Sequence, residues 1–292
     1  MSIASASASR LTHLGVLRFT GPDALGFLQG QLSNDTQRLT GNGSLLAAYS
    51  SAQGRVLALI YLLAHSSGVL AVLPREILRP TMERMRKFVM RAKVQIEDAG
   101  DSLAVGGRFG APPQSSGYTE ADGVGVAPVA GDASRHWLIA AAQEFASADA
   151  AEARRAEHEW RLADIRAGLP QIYAATSEAF VAQMLNLDLL DGISFTKGCY
   201  TGQEIIARTQ HLGRIKRRLH RLLLPSGTWS IGQALHLSDG RQGRLTEVID
   251  SGGRIEALAV LTEEPSAPLG LDPGTAEIAV HATELPLPYP LA

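Results

Sequence analysis

Lys197-Gly198-Cys199-Tyr200-Thr201-Gly202-Gln203-Glu204 is the stretch on which the reading of this chain turns. It holds the only cysteine, and it reads as a loop running into a helix. Thr201 is a good N-cap and Glu204 follows three residues later, the spacing of a capping box. The helix is expected to run through Ile205, Ile206 and Ala207 and to stop at Gly213. Cys199 then lies two residues before the cap, beside the positive end of a helix and close to Lys197. Both features favour a thiolate and lower a thiol pKa. Gly198 and Gly202 allow a tight turn or a close approach of backbone to a ligand. Two readings fit these residues: an activated thiol on a ligand-facing loop, or a small, half-buried cysteine in a strand-to-helix turn.

Upstream of the loop, residues 148–166 have the texture of a long helix that ends at Gly168 and Pro170, with Trp160 in its last turns. Downstream, residues 208–221 are basic without an acidic interruption: Arg208, Arg214, Lys216, Arg217, Arg218 and Arg221, with His211 and His220. Such a run suits an anionic tail or an RNA backbone, and equally a solvated strand edge that blunts unwanted pairing. Few aromatics are interleaved, so base stacking finds little support there. Beyond Gly213 the texture changes to short β runs at 219–224, 234–237, 243–249, 255–261 and 276–280. Asp239-Gly240 and Ser251-Gly252-Gly253 are the turns between some of them, which indicates a small barrel.

At the front of the chain, residues 14–19 read as a strand. A helix follows, capped by Thr20 or Gly21 with Pro22 in its first turn. Asn34 and Asp35 close it in a polar turn. Residues 47–64 form a hairpin turning at Ser51-Ala52-Gln53-Gly54. Its second arm, 56–63, is almost wholly apolar and so buried on both faces. Strand 68–73 and a helix from about Pro80 through Val89 follow, the helix carrying a basic face of Arg84, Arg86, Lys87 and Arg91. Strands near 94–96 and 103–105 complete an α+β pattern of ferredoxin-like units. Residues 106–135 are loop-rich, with a short strand at 124–129, and 137–140 is a strand. The division expected is a flexible tail at 1–10, an α+β core of two interleaved subdomains at 11–212 and a C-terminal β-barrel at 213–292.

Composition limits the function classes. The chain has 292 residues, 45% hydrophobic and 19% charged, with a net charge of −2, so any anion site is a local patch. One cysteine excludes an internal disulfide and a self-contained iron–sulfur site. No apolar run reaches membrane-spanning length, and the first ten residues lack an apolar signal core, which points to a cytoplasmic protein. Zinc spacings, a P-loop, a dinucleotide fingerprint and a serine-hydrolase elbow are all missing from the sequence.

The octet at 197–204 resembles the signature of the YgfZ family of folate-binding proteins, relatives of the T-protein (aminomethyltransferase) of the glycine cleavage system. Three other stretches agree in order: Gly21-Pro22-Asp23 through Phe27-Leu28-Gln29-Gly30-Gln31-Leu32-Ser33-Asn34-Asp35, then Ala167-Gly168-Leu169-Pro170, then Arg214-Ile215-Lys216-Arg217-Arg218-Leu219. The resemblance implies a T-protein-like core, tetrahydrofolate or a derivative as ligand, and a role supporting iron–sulfur enzymes, tRNA-modifying ones among them. Carried over residue by residue, it places folate near Trp160, Arg166, Tyr200, Gly202, Gln203 and Asn34. It implies the functional thiol at Cys199, helped by Lys197. The basic residues Arg208, Arg214, Lys216 and Arg217 are candidates for the anionic tail.

Two departures bear on chemistry. The catalytic aspartates of the T-protein would fall near Ala58 and Leu59, and neither can move a proton. The glutamate that grips the pterin edge is replaced by Arg166, which has donors only, so pterin recognition moves elsewhere. The family can also place an aromatic near Leu14, which this chain lacks. Aminomethyl transfer is therefore not expected. A folate-dependent one-carbon transferase and an RNA-binding scaffold remain the alternatives.

Overall fold

The computed structural model describes residues 8–39, 44–110, 117–145, 150–212, 214–265 and 279–291. The tail before residue 8, the helix stop at Gly213 and the 276–278 part of the last expected strand lie outside these.

The apolar run at 56–63 forms most of β4 (Val56–His65), which is buried along both faces except for half-buried Leu57, Ala64 and His65. A strand with no polar face needs cover on both sides. It receives neighbours β3 (Ser44–Ser50) and β5 (Gly68–Pro74) in a sheet completed by β2 (Leu14–Thr20) and β6 (Gln95–Asp98), in the order β3-β4-β5-β2-β6. Two helices serve this sheet. The first, α1 (Ala24–Gln31), starts after Asp23, so Pro22 precedes the helix instead of lying in its first turn. Asp23 instead accepts the Lys93 amide at 2.7 Å, tying the helix start to the segment between α2 (Arg75–Arg86) and β6.

That second helix begins at Arg75, five residues before the start expected at Pro80, and ends three residues before Val89. Pro80 sits inside it and donates no backbone bond. The helix continues across it because Ile77, Leu78, Thr81, Met82 and Met85 recur at helical spacing and bury one face against the sheet. The Arg75 amide, bonded to the His13 carbonyl at 2.8 Å, sets where it starts.

A second antiparallel sheet follows in the order β1-β7-β10-β9-β8, from β1 (Ser9–Arg10), β7 (Ala104–Phe109), β10 (Asp132–Ala140), β9 (Val124–Val129) and β8 (Thr119–Ala121). The long helix α3 (Ala150–Ala167) packs on it through Trp160. Gly107 makes room: a Cβ there would lie 2.4 Å from the Trp160 ring. The opposite side of α3 faces a third sheet, β12-β13-β14-β11-β15, built from β11 (Arg217–Leu224), β12 (Ala234–His236), β13 (Gln242–Asp250), β14 (Ile255–Thr262) and β15 (Thr283–Leu285). Arg161 pairs there with Glu247 at 2.6 Å and Arg166 with Glu256 at 2.7 Å. Val280 bonds His236 and Ser238 at the β12 edge, three residues before β15 joins β11, so one segment reaches both edges of the sheet. Among the described residues no helix is long and apolar enough to cross a membrane.

Candidate functional site

The signature loop is fixed on both sides of its cysteine. Helix α4 (Gln203–Leu212) starts one residue later than the capping box requires, and Gly202, not Thr201, precedes it. The Thr201 amide bonds the Gly30 carbonyl at 3.2 Å, and Glu204 is exposed. The reason is steric: Gly202 has φ +84° and lies against the 51–54 turn, where a Cβ would meet the Ser51 carbonyl at 2.6 Å and Gly54 Cα at 3.0 Å. Only glycine meets both demands. Gly202→Ala is expected to cost about 3 kcal/mol in denaturant melts, combining left-handed strain with overpacking. A loss under about 0.5 kcal/mol would contradict this contact.

Lys197 is buried, and its ammonium donates to three carbonyls, Gln29 at 2.7 Å, Leu32 at 2.8 Å and Asn34 at 2.8 Å. These close the C-terminal end of α1, where a cation is also favoured by the helix dipole. Burial pulls the Lys197 pKa down to about 8, with Asp35 opposing it. The Tyr200 ring lies 5.0 Å from the same ammonium, and burial pushes its hydroxyl up to about 12. Asn34 is fully buried: its amide donates to the Leu46 and Asp191 carbonyls, and its oxygen accepts the Asp35 amide. Between the pinned Lys197 and Tyr200, Gly198 and Cys199 stand exposed. Gln203 opens the helix, half-buried. The loop therefore presents a thiol to solvent on a rigid two-residue step.

Trp160 lies elsewhere. Its indole is 1% exposed, enclosed by Trp137 at 4.8 Å, by Phe109 edge-on at 5.7 Å and by the Arg135 guanidinium at 4.6 Å. Arg135 is fully buried between Asp132 at 2.7 Å and Asp164 at 2.8 Å. Burial raises the Asp164 carboxyl to about 6 despite the opposing pull of Arg135. Asp132 is also pushed up by burial, but its bonds from Ser134 and Arg135 outweigh that and hold it below its ordinary value. On the outer side of this cluster opens a cavity of about 600 Å³, lined by Phe109, Asp132, Glu159, Leu162, Arg166 and Pro288 among others. Phe109 is 51% exposed, so it is the aromatic surface offered to a ligand, with Trp160 packed behind it. Arg166 reaches the rim while paired to Glu256, which also binds Arg221 at 2.8 Å.

The basic run is largely neutralised by distant acids. Arg214 pairs with Glu264 at 2.8 Å, Arg218 with Asp188 at 2.7 Å, and His220 sits between Glu263 and Glu284. Arg208 and Lys216 are exposed and Arg217 half-buried, with no carboxylate partner among the described residues. Among those residues no cluster of His, Cys, Asp or Glu is arranged to hold a metal ion.

Cys199 and Trp160 are not brought together. The signature loop packs on the turn before Val56, whereas Tyr61 of β4 meets Trp137 at 5.1 Å, on the Trp160 side. From Val56 to Tyr61 β4 covers about 16 Å at roughly 3.3 Å per residue. Ala58 and Leu59 lie fully buried between these ends.

No family model matches the chain. Curated relatives do. A protein of Yersinia pestis (strain Pestoides F) is 30% identical over 97% of this chain and 92% of its own length, and is named tRNA-modifying protein YgfZ. This chain belongs to the YgfZ family. Two proteins of the same name, from Hamiltonella defensa and Colwellia psychrerythraea, are 29% and 31% identical over 78% and 72% of this chain. This chain also shares the fold of the glycine cleavage system aminomethyltransferase T from Bartonella henselae, with a TM-score of 0.60 over 87% of this chain and 78% of that one at 12% identity. Sequence reasoning missed Arg135, Asp132, Asp164 and Phe109. The signal available was Asp164, one helical turn after Trp160 on the same helix face.

Proposed function

We propose that this YgfZ family member is a folate-binding accessory protein, supporting iron–sulfur enzymes that act in tRNA modification. The observation that carries the folate reading is the cavity beside Phe109. Its volume, about 600 Å³, is in the range of small-ligand sites. Phe109 offers a ring face for the pterin. Asp132 and Glu159 offer the carboxylate acceptors that Arg166 cannot supply. Arg166 and Arg221 share a single Glu256, which leaves positive charge for the glutamate tail.

The protein's own residues bind and orient the folate and exclude water from one pterin face, and move no proton at the T-protein positions Ala58 and Leu59. Cys199 acts apart from this cavity, as a solvent-facing thiol offered to a partner or a transient cluster. A titration with tetrahydrofolate followed by tryptophan fluorescence tests the reading. Saturable quenching is expected, with Phe109→Ala and Arg166→Ala each weakening it about tenfold, as loss of a stacking or charged contact does. Quenching that never saturates, or that neither variant alters, would remove the folate assignment.

A further inference from the structure

The basic face of α2 and the segment after it serve neither the folate cavity nor the thiol. Residues 84–93 read Arg-Met-Arg-Lys-Phe-Val-Met-Arg-Ala-Lys: five of ten are basic, against 27 of 292 in the whole chain, and none is acidic. All five cations are exposed. Val89 and Ala92 pack on the core, which turns the residues between and before them outward. Phe88 is then 45% and Met90 87% exposed, two of the four large exposed hydrophobics among the described residues.

The bordering acids are all engaged. Glu83 pairs with Arg79 at 2.8 Å, Glu97 with Arg18 at 3.0 Å, Asp23 accepts the Lys93 amide at 2.7 Å, and Asp98 accepts the Gly100 amide at 2.9 Å. Of the cations, Arg86 is held to the Ile96 carbonyl at 3.1 Å, and Arg84 faces the Tyr49 hydroxyl. Lys87, Arg91 and Lys93 carry no acidic partner among the described residues.

We propose that this face binds RNA that carries unpaired bases, with Lys87, Arg91 and Lys93 on phosphates and Phe88 and Met90 against a splayed base. Cations left without an ion-pair partner fit a phosphate backbone, and an exposed aromatic set among them fits base stacking. An acidic peptide would use the charges and leave Phe88 without a flat partner. The surface stands apart from the folate cavity, so the two readings fail separately.

The test measures binding of the full chain to an RNA hairpin with an unpaired loop, to a duplex of equal length and to a polyglutamate peptide, across a salt series. Lys87→Glu with Arg91→Glu and Lys93→Glu is expected to weaken hairpin binding at least about 30-fold, and to flatten the log–log salt slope by about 2. Phe88→Ala with Met90→Ala is expected to weaken the hairpin about tenfold and leave the slope and the duplex unchanged. Both variants alter exposed side chains, and melts check that they fold; were the charge variant unfolded, the Phe88/Met90 pair decides alone. Unaltered hairpin binding in the Phe88/Met90 variant, an unchanged slope after charge reversal, or tighter binding of polyglutamate than of RNA would each overturn the proposal.

Discussion

Arg135→Met is expected to destabilise the protein by about 4 kcal/mol at pH 8, and by less at pH 5. Removing one member of a buried ionic group leaves uncompensated charge, and breaking such a pair costs roughly 3–5 kcal/mol. Here two carboxylates, Asp132 and Asp164, lose the guanidinium that sits between them, and Trp160 loses the cation packed over its ring. The pH dependence follows from Asp164. Burial already lifts its folded-state pKa to about 6, above the ordinary carboxylate value. Between about 4 and 6 the folded state therefore binds more protons than the unfolded one. The stability this confers is complete below about 4 and is lost as pH rises through about 6. Without Arg135 the carboxyl rises further, and the variant recovers toward acid while wild type changes less. Denaturant melts at pH 5 and pH 8 measure this. An equal deficit at both values would show that Asp164 is not held in a buried pair.

Lys197→Met is expected to cost about 4 kcal/mol and to lower the melting midpoint by about 10 °C. Three carbonyls at the end of α1 lose their common donor, and each buried carbonyl left unpaired costs on the order of 1–3 kcal/mol, part of which water recovers. Lys197→Arg should rescue only partly, because a planar fork cannot converge on three acceptors around one point. The effect is on folding, since the ammonium is engaged with α1. Were Lys197→Met to melt with wild type yet lose cellular function, the lysine would act on chemistry and not as a clasp.

The sequence displayed the parts of this molecule that follow from local pattern. The apolar run at 56–63 could be nothing but a doubly buried strand, and glycine turns marked the strands after residue 217. The signature octet revealed the family. It did not reveal that Gly202 would displace Thr201 as the residue before α4, because the demand comes from the Ser51 carbonyl, some 150 residues away in sequence. Lys197 looked like an activator of its neighbour for the same reason: the carbonyls that hold it belong to α1. The basic run at 208–221 appeared unopposed, yet Glu256, Glu263, Glu264 and Glu284 meet it across the third sheet. Trp160 was conspicuous as a tryptophan. That its face would be taken by Arg135, leaving Phe109 outermost, depends on a sheet pairing that no spacing announces.

The cavity beside Phe109 and the thiol at Cys199 are separate devices, one on the Tyr61 side of β4 and the other beside the turn before Val56. Tetrahydrofolate affinity of Cys199→Ser, set beside that of Phe109→Ala in the same titration, tests this separation most directly. Wild-type affinity is expected for the serine variant and about a tenfold loss for the alanine variant. Lost affinity in Cys199→Ser with Phe109→Ala unaffected would contradict it, and would put the folate against the signature loop.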